Sequence, residues 1–296
     1  MVHPNTVEKV FRVARGLPRR ELALDEVLRH DEAQELCWQA MDFGTEDGAL
    51  ALALKAFRLS PMCAEAYNLF AAYLAENDGE RLLLYRWATR VAELYLGKRL
   101  FEEDRGDFYS VIKTRPYMRA RFQLALTLRR LGLYEEAISH LEDMLVLDTG
   151  DHLGARLILM TAYLELGILD RARELIDKHR DDGGLYDSYS HLVWSWLKGV
   201  PADQFTRALK AALHSNEHIP TLLKTPETPV HFSGIGVSWS GMDGAAEYLE
   251  ISYRLWDAHP KLKQQVIRKA AGLIPTIIAE RSERVRRLRP PQAQDL

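Results

Sequence analysis

Apolar residues recur every three or four positions along almost the whole chain, and alternating runs rich in β-branched residues are nearly absent. This spacing places apolar side chains on one face of an α-helix, which turns once in about 3.6 residues. The stretch MRARFQLALTLRRLGLYEEAISHLEDMLVLDTGD, residues 118 to 151, predicts two helices joined at Gly132. Glycine can adopt the positive φ that ends the first helix. The pattern therefore predicts an all-α fold built from helix pairs.

The helix pair at residues 118 to 151 is followed by a second copy at a spacing of 35 residues. Six positions are identical: Ala120, Arg121, Leu124, Leu131, Gly132 and Ala137 recur as Ala155, Arg156, Leu159, Leu166, Gly167 and Ala172. So many identities at one offset indicate a true repeat. An earlier copy covers residues 30 to 63, the next unit pairs AEAYNLFAAYLAEN with ERLLLYRWATRVAELYLG, and DSYSHLVWSWLKG with FTRALKAALHSN forms a weaker last pair.

These features make residues 30 to 216 similar to the tetratricopeptide-repeat (TPR) family, whose repeat is 34 residues long. Gly132, Tyr134 and Ala137 stand where that pattern places them. Arg121 and Arg156 depart from it, because the family usually has a large aromatic residue at this position. A further departure is the insertion KRLFEEDRGDFYSVIK between two units, for which we expect a short extra helix.

A narrower resemblance depends on the order of three segments. GDFYSVIKTRPYMRAR, LGLYEEAISHLEDML and FSGIGVSWSGMDGAAEYLEISYRLWDAHP resemble, in that order, bacterial repeat proteins similar to the suppressor of tumorigenicity 7 family. That family is known as a repeat scaffold, so the resemblance implies no catalytic chemistry. The predicted fold is an all-α, TPR-like helical-repeat solenoid with a packed loop rich in proline and glycine and a C-terminal helical cap.

The same patterns predict how the chain is divided. We expect N-terminal capping helices at 1–29, repeats at 30–216, a Pro/Gly-rich loop at 217–244, C-terminal capping helices at 245–289 and a polar tail at 290–296. The loop is predicted from three prolines and four glycines that interrupt the helical pattern between His214 and Ala245. After Pro260 we expect two short amphipathic helices divided by Pro275.

The TPR resemblance also implies which side chains face a partner, because the first helix of each unit lines a concave groove in that family. The corresponding positions in this chain are Asp31, Gln34, Glu35 and Trp38 in the first unit, Glu65, Asn68, Leu69 and Ala72 in the second, and Arg119, Phe122, Gln123, Leu126 and Arg129 in the third. The candidate groove residues that we select are Trp38, Asn68, Arg119, Phe122, Gln123 and Arg129.

Charge along this groove is expected to be mixed, acidic at the first unit and basic with an aromatic residue at the third. Family members that clamp a terminal carboxylate use several Lys, Arg and Asn residues. Only Asn68, Arg119 and Gln123 fit here, so that particular clamp is not expected. For Phe122, Leu69 and Leu126, the alternative is packing against neighbouring helices.

Sequence motifs for catalysis or cofactor binding are missing. There is no HExxH, no P-loop and no G-x-S-x-G, and Trp239 stands where a dinucleotide fingerprint needs its third glycine. The ten histidines are scattered, and Cys37 and Cys63 are read as two idle thiols rather than a disulfide framework or a zinc site. The acidic run near Glu102 is typical of a solvated surface. We therefore expect no enzyme activity, no metal and no cofactor.

Charge is unevenly distributed along the chain, whose formal net charge is −3. Residues 261 to 289 hold nine basic and two acidic residues, a local balance of +7, so the rest of the chain carries −10. The basic residues nearest the C-terminus are Arg281, Arg284, Arg286, Arg287 and Arg289. They suggest either contacts with the phosphates of nucleic acid or another anionic surface, or a charged helix that caps the repeats.

The expected function is a non-catalytic adaptor that binds a peptide or partner protein in its groove, with nucleic-acid association through the basic segment as the alternative. No apolar run reaches the roughly 18 residues of a membrane helix. Charged residues interrupt the N-terminal segment VHPNTVEKVFRVAR, so we expect a cytoplasmic protein. The partner's identity and the oligomeric state do not follow from the sequence.

Overall fold

A computed structural model describes residues 6–17, 23–179, 184–224 and 240–288. Over those ranges the fold is all-α, as predicted, and contains no β-strand. The helices are α1 Thr6–Arg15, α2 Leu24–Met41, α3 Glu46–Leu59, α4 Ala64–Tyr73, α5 Asp78–Glu103, α6 Arg115–Arg130, α7 Tyr134–Leu147, α8 Ala155–Glu165, α9 Leu169–Lys178, α10 Leu185–Lys198, α11 Ala202–Ser215, α12 Ile219–Leu222, α13 Met242–Ala258 and α14 Pro260–Leu288. Across these same ranges, none of the helices is both long and apolar enough to span a bilayer.

The chain forms two compact units, Met1–Leu159 and Met160–Leu296, whose boundary falls within α8. In the first unit, each helix from α2 to α6 packs against the next one along the chain. In addition α2 contacts α4, and α4 contacts α6, so the first helices of successive pairs lie side by side. Small buried residues such as Ala33, Ala53 and Ala56 allow this close packing.

The turns between paired helices follow the sequence prediction. Gly132 ends α6 with a φ of 78°, and Gly167 ends α8 with a φ of 68°. No atom lies within 4 Å of the position where a Cβ would stand at either residue, so glycine is favoured there by backbone conformation alone. The glycine that recurs at a spacing of 35 residues therefore ends the first helix of the pair in both copies.

The insertion between units begins with the expected short extra helix, residues 98–103, which the break at Gly97 separates from the rest of α5. Helix α5 continues into it as far as Glu103 but is broken at Gly97, where φ is 69° and ψ is 160°. Two 3-10 turns follow, Phe108–Ser110 and Ile112–Thr114. The hydroxyl of Thr114 donates hydrogen bonds to the carbonyls of Val111 and Phe108, which ties the turns to the start of α6.

In the second unit, α10 and α11 are helices at the place of the predicted last pair, and they pack against each other. Four aromatic side chains form the buried centre of this unit: Tyr186, Tyr189, Tyr248 and Trp256. The hydroxyl of Tyr189 donates to the Asn216 carbonyl at 2.7 Å, which satisfies the one polar atom that this ring buries.

Three predicted boundaries require correction. The expected division at residue 30 lies inside α2. The predicted loop at 217–244 contains the short helix α12. Residues 225–239 of that loop and the polar tail at 290–296 lie outside the described residues. The two helices expected around Pro275 are the single helix α14. A proline removes one backbone hydrogen bond, but Leu262, Val266, Ala270 and Ile277 keep one buried apolar face at helical spacing, and this packing holds the helix together.

Candidate functional site

The exposed face of α2 lines a cleft of about 570 Å³ in the first unit. Asp31, Gln34, Glu35 and Trp38, all predicted to face a partner, contribute to it together. Their spacing explains this, because residues three, four and seven positions apart lie on one side of a helix. We call it the Trp38 cleft.

The opposite wall of the Trp38 cleft was not predicted from the sequence. It consists of Tyr95 from α5 and of Val111, Ile112 and Lys113 from the turns of the insertion. The insertion therefore completes a cleft whose other side is a repeat helix. The only signal in the sequence was the interruption of the repeat between α5 and α6, which by itself does not indicate where the inserted residues pack.

The buried His30 also lines the Trp38 cleft, where it stacks on Tyr95 of the opposite wall. The rings of His30 and Tyr95 stack with centroids 3.7 Å apart, and His30 Nδ1 lies 3.4 Å from the hydroxyl of Ser60. Burial lowers the pKa of His30 to about 4, against the opposing effect of Asp31. The imidazole is therefore neutral at neutral pH.

Two large apolar side chains remain accessible at the mouth of this cleft. Trp38 is 37% exposed and Ile112 is 57% exposed. Exposed aromatic and aliphatic surface of this kind is removed from water when a partner binds. The Trp38 cleft thus combines an apolar rim with the carboxylates of Asp31 and Glu35.

Asn68 and Arg119, the next two predicted groove residues, do come together, but they serve to join helices. Asn68 Nδ2 donates to Glu65 Oε1 at 3.1 Å and to the Pro116 carbonyl at 3.0 Å. The guanidinium of Arg119 on α6 binds the carboxylate of Glu65 on α4. Burial disfavours the charged guanidinium, yet the hydrogen bond and charge of Glu65 hold the pKa of Arg119 above its ordinary value.

The remaining predicted groove residues lie further along α6 and are largely covered. Phe122 and Gln123 are half-buried, whereas Arg129 is only 6% exposed. Arg129 therefore does not provide the exposed basic group that its repeat position implied. The physical reason is that α6 packs against α4, α5 and α7, which leaves this helix little free surface.

Arg121, the arginine that replaces the usual aromatic residue of the repeat, joins the two helices of its own pair. It donates to His140 Nδ1 at 3.1 Å and to the hydroxyl of Tyr117 at 2.7 Å, and it pairs with Asp143. The contacts with His140 and Asp143 link α6 to α7, the second helix of the same pair, and the contact with Tyr117 lies within α6.

The first unit has a second cleft, which the sequence pattern did not predict. It measures about 1040 Å³ and lies between α5, α6 and α7, with Gly97, Phe101, Tyr117 and Val146 among its lining residues. We call it the Gly97 cleft. Two ion pairs lie among its charged residues, Arg90 with Glu93 and Arg121 with Asp143. The glycine inside the helical pattern YLGKRLF was the available signal.

The basic C-terminal segment is described only in part. Arg281 binds Glu217 and donates to the carbonyls of Leu213 and His214, so it closes the C-terminal end of α11. The side chains of Arg284, Arg286 and Arg287, and all of Arg289, lie outside what the structure describes. Of the five arginines predicted to contact an anionic surface, Arg281 is therefore bound to groups of this chain itself.

The thiols of Cys37 and Cys63 are free and buried, with their sulfur atoms 3.7 Å apart. The hydrogen bond with Cys63 and burial both raise the pKa of Cys37, so its thiol stays protonated. Over the ranges that the structure describes, no group of histidine, cysteine and carboxylate side chains converges in a way that could hold a metal ion.

Comparisons with protein-family models, characterised proteins and solved structures found no match for this chain.

Proposed function

We propose that this chain is a cytosolic, non-catalytic interaction scaffold of TPR-like repeats, which binds a peptide segment of a partner protein in the Trp38 cleft. The observation that carries the proposal is that Asp31, Gln34, Glu35 and Trp38 line one cleft together. The TPR resemblance independently predicts all four on the partner-facing side of the first unit.

The size and surface of the Trp38 cleft support a peptide ligand. Its volume of about 570 Å³ lies within the range of roughly 300–1,000 Å³ that is usual for ligand sites. Trp38 supplies a large aromatic group at its mouth, and tryptophan is enriched among the residues that contribute most to binding energy. Helical repeats offer rigid surfaces of this kind, so little ordering entropy is lost when a partner binds.

Selection from a random-peptide display library against the full chain tests this function. Selected peptides should bind the Trp38→Ala variant at least about tenfold more weakly, because the variant removes the main apolar contact. Phe43→Ala is the matched control, since Phe43 is also an exposed aromatic residue of the first unit but does not line this cleft. Equal binding to the wild type and to Trp38→Ala would reject the Trp38 cleft as the site.

The alternative, nucleic-acid association through the basic C-terminal segment, has less support. Arg281 is committed to Glu217 and to carbonyls at the end of α11. Removing residues 276 to 296 would also take away the buried Ile277 and destabilise the second unit. Glutamine substitutions at Arg284, Arg286, Arg287 and Arg289 are therefore the better test, with binding to generic DNA measured against salt concentration.

A further inference from the structure

The structure changes the expected charge of the groove. The sequence predicts an acidic first unit and a basic third unit. In the folded chain, however, the cation of Arg119 is neutralised by Glu65, and Arg129 is buried. The two arginines that would have made the third unit basic are therefore withdrawn from a partner. By contrast, the carboxylates of Asp31 and Glu35 on α2 are exposed.

The Trp38 cleft itself carries one net negative charge at neutral pH. Asp31 and Glu35 contribute two negative charges and Lys113 one positive charge, while the low pKa of His30 leaves its ring neutral. Asp31 interacts with the Tyr95 hydroxyl. Glu35 is exposed and, within the part of the chain that the structure describes, takes part in no ion pair.

Aromatic groups lie beside these carboxylates. Asp31, Glu35 and Trp38 succeed one another at spacings of four and three residues on one side of α2, so the indole follows the two acids along the helix. An aromatic face attracts a lysine ammonium or an arginine guanidinium. The apolar wall at Val111 and Ile112 suits the hydrocarbon stem of the same side chain. Carboxylates, an aromatic ring and an apolar wall are together complementary to a long cationic side chain.

We propose, building on the function above, that the Trp38 cleft selects partner segments that present a lysine or arginine beside an apolar residue. The cationic head group lies against Asp31, Glu35 and Trp38, and the apolar neighbour packs on Ile112. The ammonium of Lys113, on the opposite wall, donates a hydrogen bond to a carbonyl oxygen of the bound segment. The groove thus recognises a basic peptide, the reverse of a clamp for a terminal carboxylate.

Peptides selected by display against the full chain test this inference. Their sequences should be enriched in lysine and arginine, and replacing that residue by glutamine should weaken binding about tenfold. The double variant Asp31→Asn, Glu35→Gln should lose a similar factor, and the loss should shrink at high salt. Glu32→Gln is the matched control, because Glu32 is an exposed acid of the same helix outside the cleft.

Charge reversal provides the complementary measurement. Glu35→Lys should shift the selected peptides towards aspartate and glutamate, and because Glu35 is exposed the variant keeps the wild-type fold. Peptides that require Trp38 but lack any basic enrichment would overturn this inference and leave the proposed function standing. Peptides indifferent to Trp38→Ala would overturn both.

Discussion

The guanidinium of Arg119 binds the carboxylate of Glu65, although the two residues lie 54 positions apart in the chain. Glu65 is almost completely buried on α4, and Arg119 reaches it from α6. The pair joins the first helices of two successive units. It also settles the charge of the surface between them, because neither residue is left to attract a partner.

Arg119→Gln should lower the free energy of unfolding by about 2 kcal/mol, since it leaves the buried Glu65 carboxylate without its cation. This figure is below that of a fully buried pair because Arg119 is partly exposed to solvent. Chemical denaturation measures it. The control is Arg86→Gln, whose ion pair with Glu136 lies at the surface and should cost no more than about 1 kcal/mol. Equal losses in the two variants would contradict the structural role of Arg119.

His30 should make the fold less stable in mild acid. Burial lowers its pKa in the folded chain to about 4, below the ordinary histidine value of 6.5. Between these values the unfolded chain binds a proton that the folded chain excludes, so stability falls as the pH drops. From pH 7 to pH 5 this contribution amounts to about 2 kcal/mol.

The variant His30→Phe retains a ring to stack on Tyr95 but has no titrating group. Its free energy of unfolding should therefore increase by that amount relative to wild type as the pH falls from 7 to 5, which means that the variant becomes relatively more stable. A pH-independent difference between the two proteins would show that His30 is accessible to protons in the folded state.

Asp151 should act in the opposite direction. Burial raises its pKa to about 6, against hydrogen bonds from the backbone of Arg156 and Ala155. The folded chain then holds a proton that the unfolded chain has lost, so this contribution is present at low pH and disappears as the pH rises through 6. Its contribution to the free energy of unfolding falls by about 1.5 kcal/mol from pH 5 to pH 7.

Asp151→Asn removes this titration and keeps a side chain that tolerates the positive φ of 51° at this position. Relative to wild type, the variant should gain stability between pH 5 and pH 7. Unfolding curves at the two pH values measure the gain. If the variant's stability relative to wild type instead stayed the same from pH 5 to pH 7, the carboxylate would be ionised in the folded state throughout that range.

Gly97→Ala should destabilise the chain by about 2 kcal/mol, because its φ of 69° and ψ of 160° form a conformation that is almost restricted to glycine. Gly272→Ala is the matched control, and its expected effect on stability has the opposite sign. Gly272 lies within α14 with no atom near its missing Cβ, so alanine should stabilise that helix by about 0.5–1 kcal/mol. Thermal unfolding of both variants checks the pair, and a stabilised Gly97→Ala would mean that α5 is continuous.

Local pattern accounts for most of what could be predicted. The period of the apolar residues fixed the helices, and the glycines at 132 and 167 marked two turns correctly, since both properties depend on a few neighbouring residues. Local pattern gave a wrong prediction at Pro275, because the effect of a proline on a helix also depends on how the flanking residues pack. The buried Val266, Ala270 and Ile277 keep α14 continuous through this residue.

The candidate site was predictable on one side only. Helical spacing by itself determined that Asp31, Glu35 and Trp38 share a face of α2. Only the tertiary structure decided what lies opposite them, because Tyr95 and Ile112 come from distant elements that the insertion brings back. It also decided which charges remain accessible. A carboxylate and a guanidinium that are far apart in sequence neutralise each other once packing removes them from water, and no local pattern encodes that pairing.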